Sequence, residues 1–392
     1  MNEERYSINT KNRNLRYSSD TEKLIVTSMF FSFLLIFFSN TRYLYLFGYI
    51  IFIIPILYFF SKKLNRKIDR TYITEIDIFI LLFCFVTGFF FSKYSLLYTV
   101  LSFGVLFSLI EIQKSGLLKK LFSIQMTDIF YYVLLVSVIV LITHDILQKK
   151  SEIVFYSIED KNYTGIFIFL FFLLANKKRK YTGILLGLIY CIFFSYSRSC
   201  HLLFCLFYLF KIFERKRLIS FLSKIDFNII LFFSFCFIAV FSYIWVYQIS
   251  IGTLANYREG LNDLSNRMRF VANIYGLQML SDLYNTLLWG YGSSLLQEIG
   301  IEDNILYYMD TKLVQPHNSI LNLMLKIGII PAIIYLKILT KLWKKLKKNY
   351  NYPYIIPYIV NCMFMHSLFN TKWLIFFLLI LMIPEKQKRE NK

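Results

Sequence analysis

Long apolar runs succeed one another along this chain, and there are too many for a water-soluble interior to hold. Of its 392 residues, 57% are hydrophobic and only 17% charged. A soluble domain of that length has no core large enough to bury so much apolar surface, so lipid must serve as its solvent. The runs fall at about residues 24–40, 43–60, 75–92, 95–111, 127–146, 162–176, 181–197, 199–213, 226–248, 317–340, 352–370 and 373–384. The expectation is an all-α, polytopic membrane bundle of about twelve transmembrane helices with one long, outward-facing, partly helical loop. That divides the chain into an N-terminal bundle over 1–248, the outer loop over 249–316 and C-terminal helices over 317–392. The first 23 residues are polar and basic, and the first run lacks a small-residue cleavage site, so no cleavable signal is expected.

The net charge of +20 could point to nucleic acid, but the basic residues stand in short clusters between apolar runs. That is the pattern of membrane topology, and nucleic acid is not expected as a partner. With both termini cytoplasmic, inside segments collect 31 of the 44 Lys and Arg residues and outside segments 11. Lys177-Lys178-Arg179-Lys180, Arg215-Lys216-Arg217 and the stretch from Lys341 to Lys348 all fall inside. The opposite orientation would invert the ratio, so the cytoplasmic membrane with both ends inside is the expected placement.

The chain has no Gly-rich phosphate loop, no GxSxG, no HExxH and no paired-Cys metal spacing. Its six cysteines lie in apolar runs and are read as packing thiols. No metal and no cofactor is expected, and the inside loops are too short for a nucleotide-binding domain.

Polar chemistry gathers on the outer side instead. His144, His201, His317 and His366 all fall near outer ends of runs. Arg198, in Ser195-Tyr196-Ser197-Arg198-Ser199, sits at an outer boundary, where a topology-setting arginine is not expected. A guanidinium there suits bidentate binding of phosphate or pyrophosphate, although it could also be an interfacial anchor. In the outer loop, apolar residues recur at helical steps from Met268 to Met279, with Ser265 as a cap and Arg267 and Arg269 in the first turn. Arginines at a helix start oppose the dipole, so an anionic ligand or a lipid surface should favour them there. Pro316 should open the helix of the tenth run, with His317 in its first turn. The positive helix end favours the neutral imidazole, a form able to accept a proton, and Asn318 beside it could orient a hydroxyl. Pro-His-Asn could equally be a simple cap. Gly290-Tyr291-Gly292 reads as a turn. Lys326, about 13 Å along the helix of the tenth run, should face protein or a water-filled cavity.

The order of these pieces over residues 185–345 resembles the O-antigen ligase and O-antigen polymerase (Wzy-type) superfamily of bacterial membrane glycosyltransferases. It runs from the Ser-x-Ser-Arg turn at 195–198, through the long outer loop with Ser265-Asn266-Arg267 and Gly290-x-Gly292, to His317-Asn318-Ser319-Ile320-Leu321 and Lys326-Ile327-Gly328-Ile329-Ile330. Pro331 departs from the second glycine that often follows in the family. The resemblance implies that Arg198 and Arg267 hold the pyrophosphate of an undecaprenyl-linked oligosaccharide. Arg269 competes with Arg267 for that role. His317 would activate or orient the acceptor hydroxyl, while Ser197, Asn318, Gly290 and Gly292 would line the substrate site. It further implies that neither metal nor nucleotide sugar is used. The expected partners are the undecaprenyl-pyrophosphate-linked oligosaccharide, membrane lipid, a flippase and a chain-length regulator. A polymerase building O-antigen, capsule or exopolysaccharide is the favoured expectation. A ligase transferring finished polysaccharide to a lipid or protein acceptor is the first alternative, and a flippase for lipid-linked oligosaccharides the second.

Overall fold

Thr74 starts the helix over Glu75–Phe91 by exchanging hydrogen bonds with Asp77. Its hydroxyl accepts from the Asp77 N–H at 3.2 Å, while its own N–H donates to Asp77 Oδ2 at 3.0 Å. This reciprocal cap satisfies two donors that a helix start leaves open. The structure, a computed structural model, describes residues 72–91, 93–115, 124–148, 161–213, 264–292, 316–346, 352–363 and 372–383, together with scattered positions at 28–53, 217–240 and 365. Besides helical positions at 28–53 and 217–240, the helices bounded among the described residues are α1 (Glu75–Phe91), α2 (Lys93–Ser115), α3 (Ile124–Gln148), α4 (Lys161–Lys178), α5 (Tyr181–Ile189), α6 (Arg198–Ile212), α7 (Leu264–Ser281), α8 (Leu283–Thr286), α9 (Ser319–Ile327), α10 (Ile329–Lys345), α11 (Ile355–Cys362) and α12 (Lys372–Met382). No strand occurs among the described residues, so the fold is all-α.

Helices stand where the apolar runs from 75–92 to 199–213 and the run at 373–384 placed them, and Ile355–Cys362 lies within the run at 352–370. One of them, over Ser95–Lys114, is long and apolar enough to cross a bilayer by itself. Shorter apolar helices lie at Thr127–Thr143, Tyr181–Phe194 and Lys372–Met382. The runs at 24–40, 43–60 and 226–248 lie largely outside the described residues, as does most of the outer loop.

The core is built on α4 and α12, which are apolar all round and therefore buried all round. Tyr163 stacks on Trp373, and Phe172 meets Phe207 edge-on at 4.8 Å. α5 folds back on α4 with Gly183 and Gly187 against Ala175 and Phe172, a close approach that small residues permit. α1 turns Ile76, Phe79, Phe83, Val86 and Phe90 outward, each more than half exposed, while Asp77, Ser95, Thr99, Ser102 and Ser108 are buried.

The tenth run departs from expectation. Instead of one helix over 317–340 it forms two, broken at Gly328, whose φ of +94° is a conformation that glycine adopts without strain. Gly328 lies on the backbone of Leu288 and Trp289, and the Ile330 N–H donates to the Leu287 carbonyl at 3.1 Å. Apolar residues on both sides of the break hide it from a hydropathy reading. α10 then runs antiparallel to α1. Lys337 pairs with Asp77 at 2.8 Å, and Lys341 donates to the Tyr72 carbonyl at 3.0 Å. Trp289 stacks on Phe91 at the opposite end, where α1 turns into α2.

Candidate functional site

Pro316 and His317 precede the helix they were expected to open. Asn318 is the N-cap, and α9 begins at Ser319. The Asn318 side-chain oxygen accepts from the N–H groups of Ile320 at 2.9 Å and Leu321 at 3.2 Å. A carboxamide that satisfies two open donors is a better cap than a proline start, and it displaces the boundary by two residues. His317, half-buried, therefore stands just outside the positive end of α9. Asn318 is buried with its oxygen engaged, so in this arrangement it holds the turn and does not orient a hydroxyl through that atom.

Two segments grip this turn. On one side α7 lies so close that a Cβ at Gly276 would come within 2.6 Å of Pro316 Cγ and 3.0 Å of Leu321 Cδ2. Tyr275, Leu277, Met279 and Leu280 of α7 pack against the cluster of Leu321 and Leu325 on α9. On the other side the Ser319 hydroxyl donates to the carbonyl of Met365, beyond the end of α11.

α7 is longer than its apolar pattern implied. It starts at Leu264, so Ser265 is inside the helix and does not cap it. Its register separates the two arginines. Positions 269, 272, 273 and 276 repeat at three- and four-residue steps and form one stripe, of which Ala272, Asn273 and Gly276 are buried. Position 269 shares that stripe. Position 267 is nine residues before 276, half a turn round the helix.

Arg198 stands at the start of a different helix. α5 widens into a π-helical turn over Tyr190–Phe194, and Tyr196 then takes a φ of +37°, rare for an aromatic residue. π-turns and left-handed non-glycine residues cluster at functional sites. Ser197 caps α6, accepting from the Cys200 N–H at 3.3 Å and donating to Asn162 Oδ1 at 2.6 Å. Arg198 follows as the first helical residue and is exposed. His201, one turn further on, is also exposed. Its Nε2 lies 3.2 Å from the Ser195 hydroxyl, which itself donates to the Cys191 carbonyl at 3.0 Å. This Ser–His pair was not legible beforehand, because it closes across a non-helical turn. α6 packs against α11, and α11 leads to Met365 and the His317 turn.

Backbone packing and conformation require glycine at 290 and 292. A Cβ at 290 would overlap the Leu325 carbonyl oxygen, and Gly292 has a φ of +58°. The Gly290 N–H donates to Ser95 Oγ at 3.0 Å, and the Tyr291 N–H donates to the Leu325 carbonyl at 2.7 Å. Lys326 lies at the end of α9, buried against Tyr98. Its Nζ is 3.5 Å from the phenol oxygen and 5.1 Å from the ring centre. The expectation that it faces protein is met. Outside the described residues lie His366 and the acidic loop residues Glu259, Asp263 and Asp310, as do the side chains of His144, Arg267 and Arg269.

Compared with protein-family models, curated proteins and solved structures, the chain matches none.

Proposed function

We propose that the chain is an integral membrane glycosyltransferase, working on the outer face of the cytoplasmic membrane, that polymerises undecaprenyl-pyrophosphate-linked oligosaccharide repeats. The observation that carries this reading is the seating of Gly276 on Pro316, which sets the arginine-bearing helix α7 beside His317. Displacing a pyrophosphate needs positive charge on the leaving group and a base near the incoming hydroxyl. Arg269, on the stripe of α7 that meets the turn, and Arg198, exposed at the head of α6, supply the charge. His317 takes the acceptor's proton as the new glycosidic bond forms and the pyrophosphate departs. A single displacement at the anomeric carbon inverts its configuration. Arg267, half a turn away, is the weaker of the two candidates on α7.

The apolar outer faces of α1 and α3, the buried hydroxyls of α2, and the 31-to-11 distribution of basic residues support a membrane bundle with about twelve spans and both ends inside. Incubating the purified protein with the lipid-linked repeat alone tests the reading. A ladder of products supports a polymerase. Transfer only after a separate acceptor is added would make it a ligase, and movement of the lipid without new linkages would make it a flippase.

A further inference from the structure

We propose that Asn273 and Asn361 hold sugar hydroxyls of the glycan beside His317; this rests on the glycosyltransferase reading above. Among the described residues, Asn273 Oδ1 and both side-chain atoms of Asn361 are buried without a hydrogen-bond partner. Asn273 is 4% exposed and Asn361 1%. Buried carboxamides are nearly always satisfied, so each of these needs a reason.

Their positions share one. The turn over residues 316–319 is gripped from two sides, by Gly276 on Pro316 and by the Met365 carbonyl on Ser319 Oγ. Asn273 lies one helical turn before Gly276, on the same buried stripe of α7. Asn361 lies four residues before Met365, in the last turn of α11. Two open carboxamides thus lie on the two elements that grip the His317 turn.

The chemistry separates the ligand classes. A carboxamide oxygen needs a donor, and the oxygens of a pyrophosphate carry none near neutral pH. A hydroxyl or an acetamido N–H does. Asn361, with oxygen and nitrogen both open, matches two adjacent ring hydroxyls, one donating to its Oδ1 and the other accepting from its Nδ2. The arginines hold the anionic end of the substrate, and the carboxamides hold its neutral sugar.

The test uses the full-length protein in detergent, with lipid-linked oligosaccharide extracted from cells lacking the enzyme. Asn273→Leu and Asn361→Leu should each raise the apparent KM about tenfold, the loss of one or two hydrogen bonds. Melting temperature should stay level or rise, because an open polar group has been replaced by an apolar one of similar size. An unchanged KM with a raised melting temperature overturns the proposal and leaves the carboxamides as mere packing defects. Should a leucine variant fail to fold, Asn273→Ser and Asn361→Ser carry the same KM readout. Arg198→Ala and His317→Ala run alongside. If they lose turnover while the asparagine variants keep wild-type KM, this inference alone fails. If they retain full turnover, the catalytic reading fails with it.

Discussion

Asp77, in the first turn of α1, holds Lys337, midway along α10, through both carboxylate oxygens at 2.8 and 2.9 Å. The carboxylate is nearly buried while the lysine is 41% exposed. The pair ties the α1 start to the helix that follows the Gly328 break, and so sets how α10 slides along α1. Removing one partner leaves the other uncompensated. Asp77→Asn or Lys337→Met should cost between the ~1 kcal/mol of an exposed pair and the ~3–5 kcal/mol of a buried one. The double variant should cost less than the sum, which a thermal-melt double-mutant cycle in detergent measures. Additive losses would show that the pair contributes nothing as a pair.

Gly328 should resist substitution. Alanine there must adopt a φ of +94° and would crowd the Trp289 backbone, with its Cβ 2.9 Å from Trp289 N. We expect Gly328→Ala to destabilise by roughly 1–3 kcal/mol, and to uncouple Trp289 from Phe91. Trp289 fluorescence, read against a variant lacking the other three tryptophans, should shift toward that of an exposed indole. An unshifted spectrum and unchanged melting would mean that the break is not clamped by the outer turn.

Asp282 joins α8 to the Gly290 turn, accepting from Asn285 Nδ2 at 2.7 Å and from the Tyr291 hydroxyl at 3.3 Å. Hydrogen bonding, first from Asn285, holds its carboxyl below the ordinary value. A lowered value contributes stability that is fully present above the unfolded pKa and disappears as pH falls through the folded one. Asp282→Asn should therefore speed amide exchange over residues 282–292 at neutral pH, and the difference from wild type should vanish at strongly acid pH. Equal exchange rates at neutral pH would remove Asp282 from the turn's support.

Arg269→Ala should abolish product while Arg267→Ala leaves most of it, because position 269 shares the stripe of Gly276. The reverse result would place the other face of α7 toward the lipid-linked substrate. Arg198→Ala should also abolish product, and Arg198→Lys should recover little, since an ammonium cannot reproduce a bidentate guanidinium contact. Polymer yield on gels, normalised to protein in the membrane, separates the cases.

Much of the helix plan was legible because apolar runs bounded by basic clusters mark helices directly. Glu75–Phe91 and Arg198–Ile212 lie within two residues of the runs that announced them. The Gly328 break was hidden because Lys326-Ile327-Gly328-Ile329-Ile330 is nearly apolar throughout, and only the contact with Trp289 explains the turn. The partner of Lys337 was also hidden, since Asp77 lies 260 residues away and ion pairs leave no local pattern. Within the site, Ser197, Arg198 and the His317 turn were visible as polar residues out of place. Asn273 was not, because one asparagine in an amphipathic helix looks solvated until its burial is known. The preference for Arg269 over Arg267 likewise needed Gly276, which shows which stripe of α7 meets Pro316.

Turnover by His317 variants on purified lipid-linked repeat tests the central claim most directly. In the proposed reaction the His317 imidazole takes the acceptor proton, and losing a general base costs roughly 10²–10⁴-fold in rate. His317→Ala and His317→Gln should both fall by that range, with donor binding retained, because a carboxamide can hydrogen-bond but cannot take the proton. A His317→Gln enzyme that builds polymer at close to the wild-type rate would contradict the account.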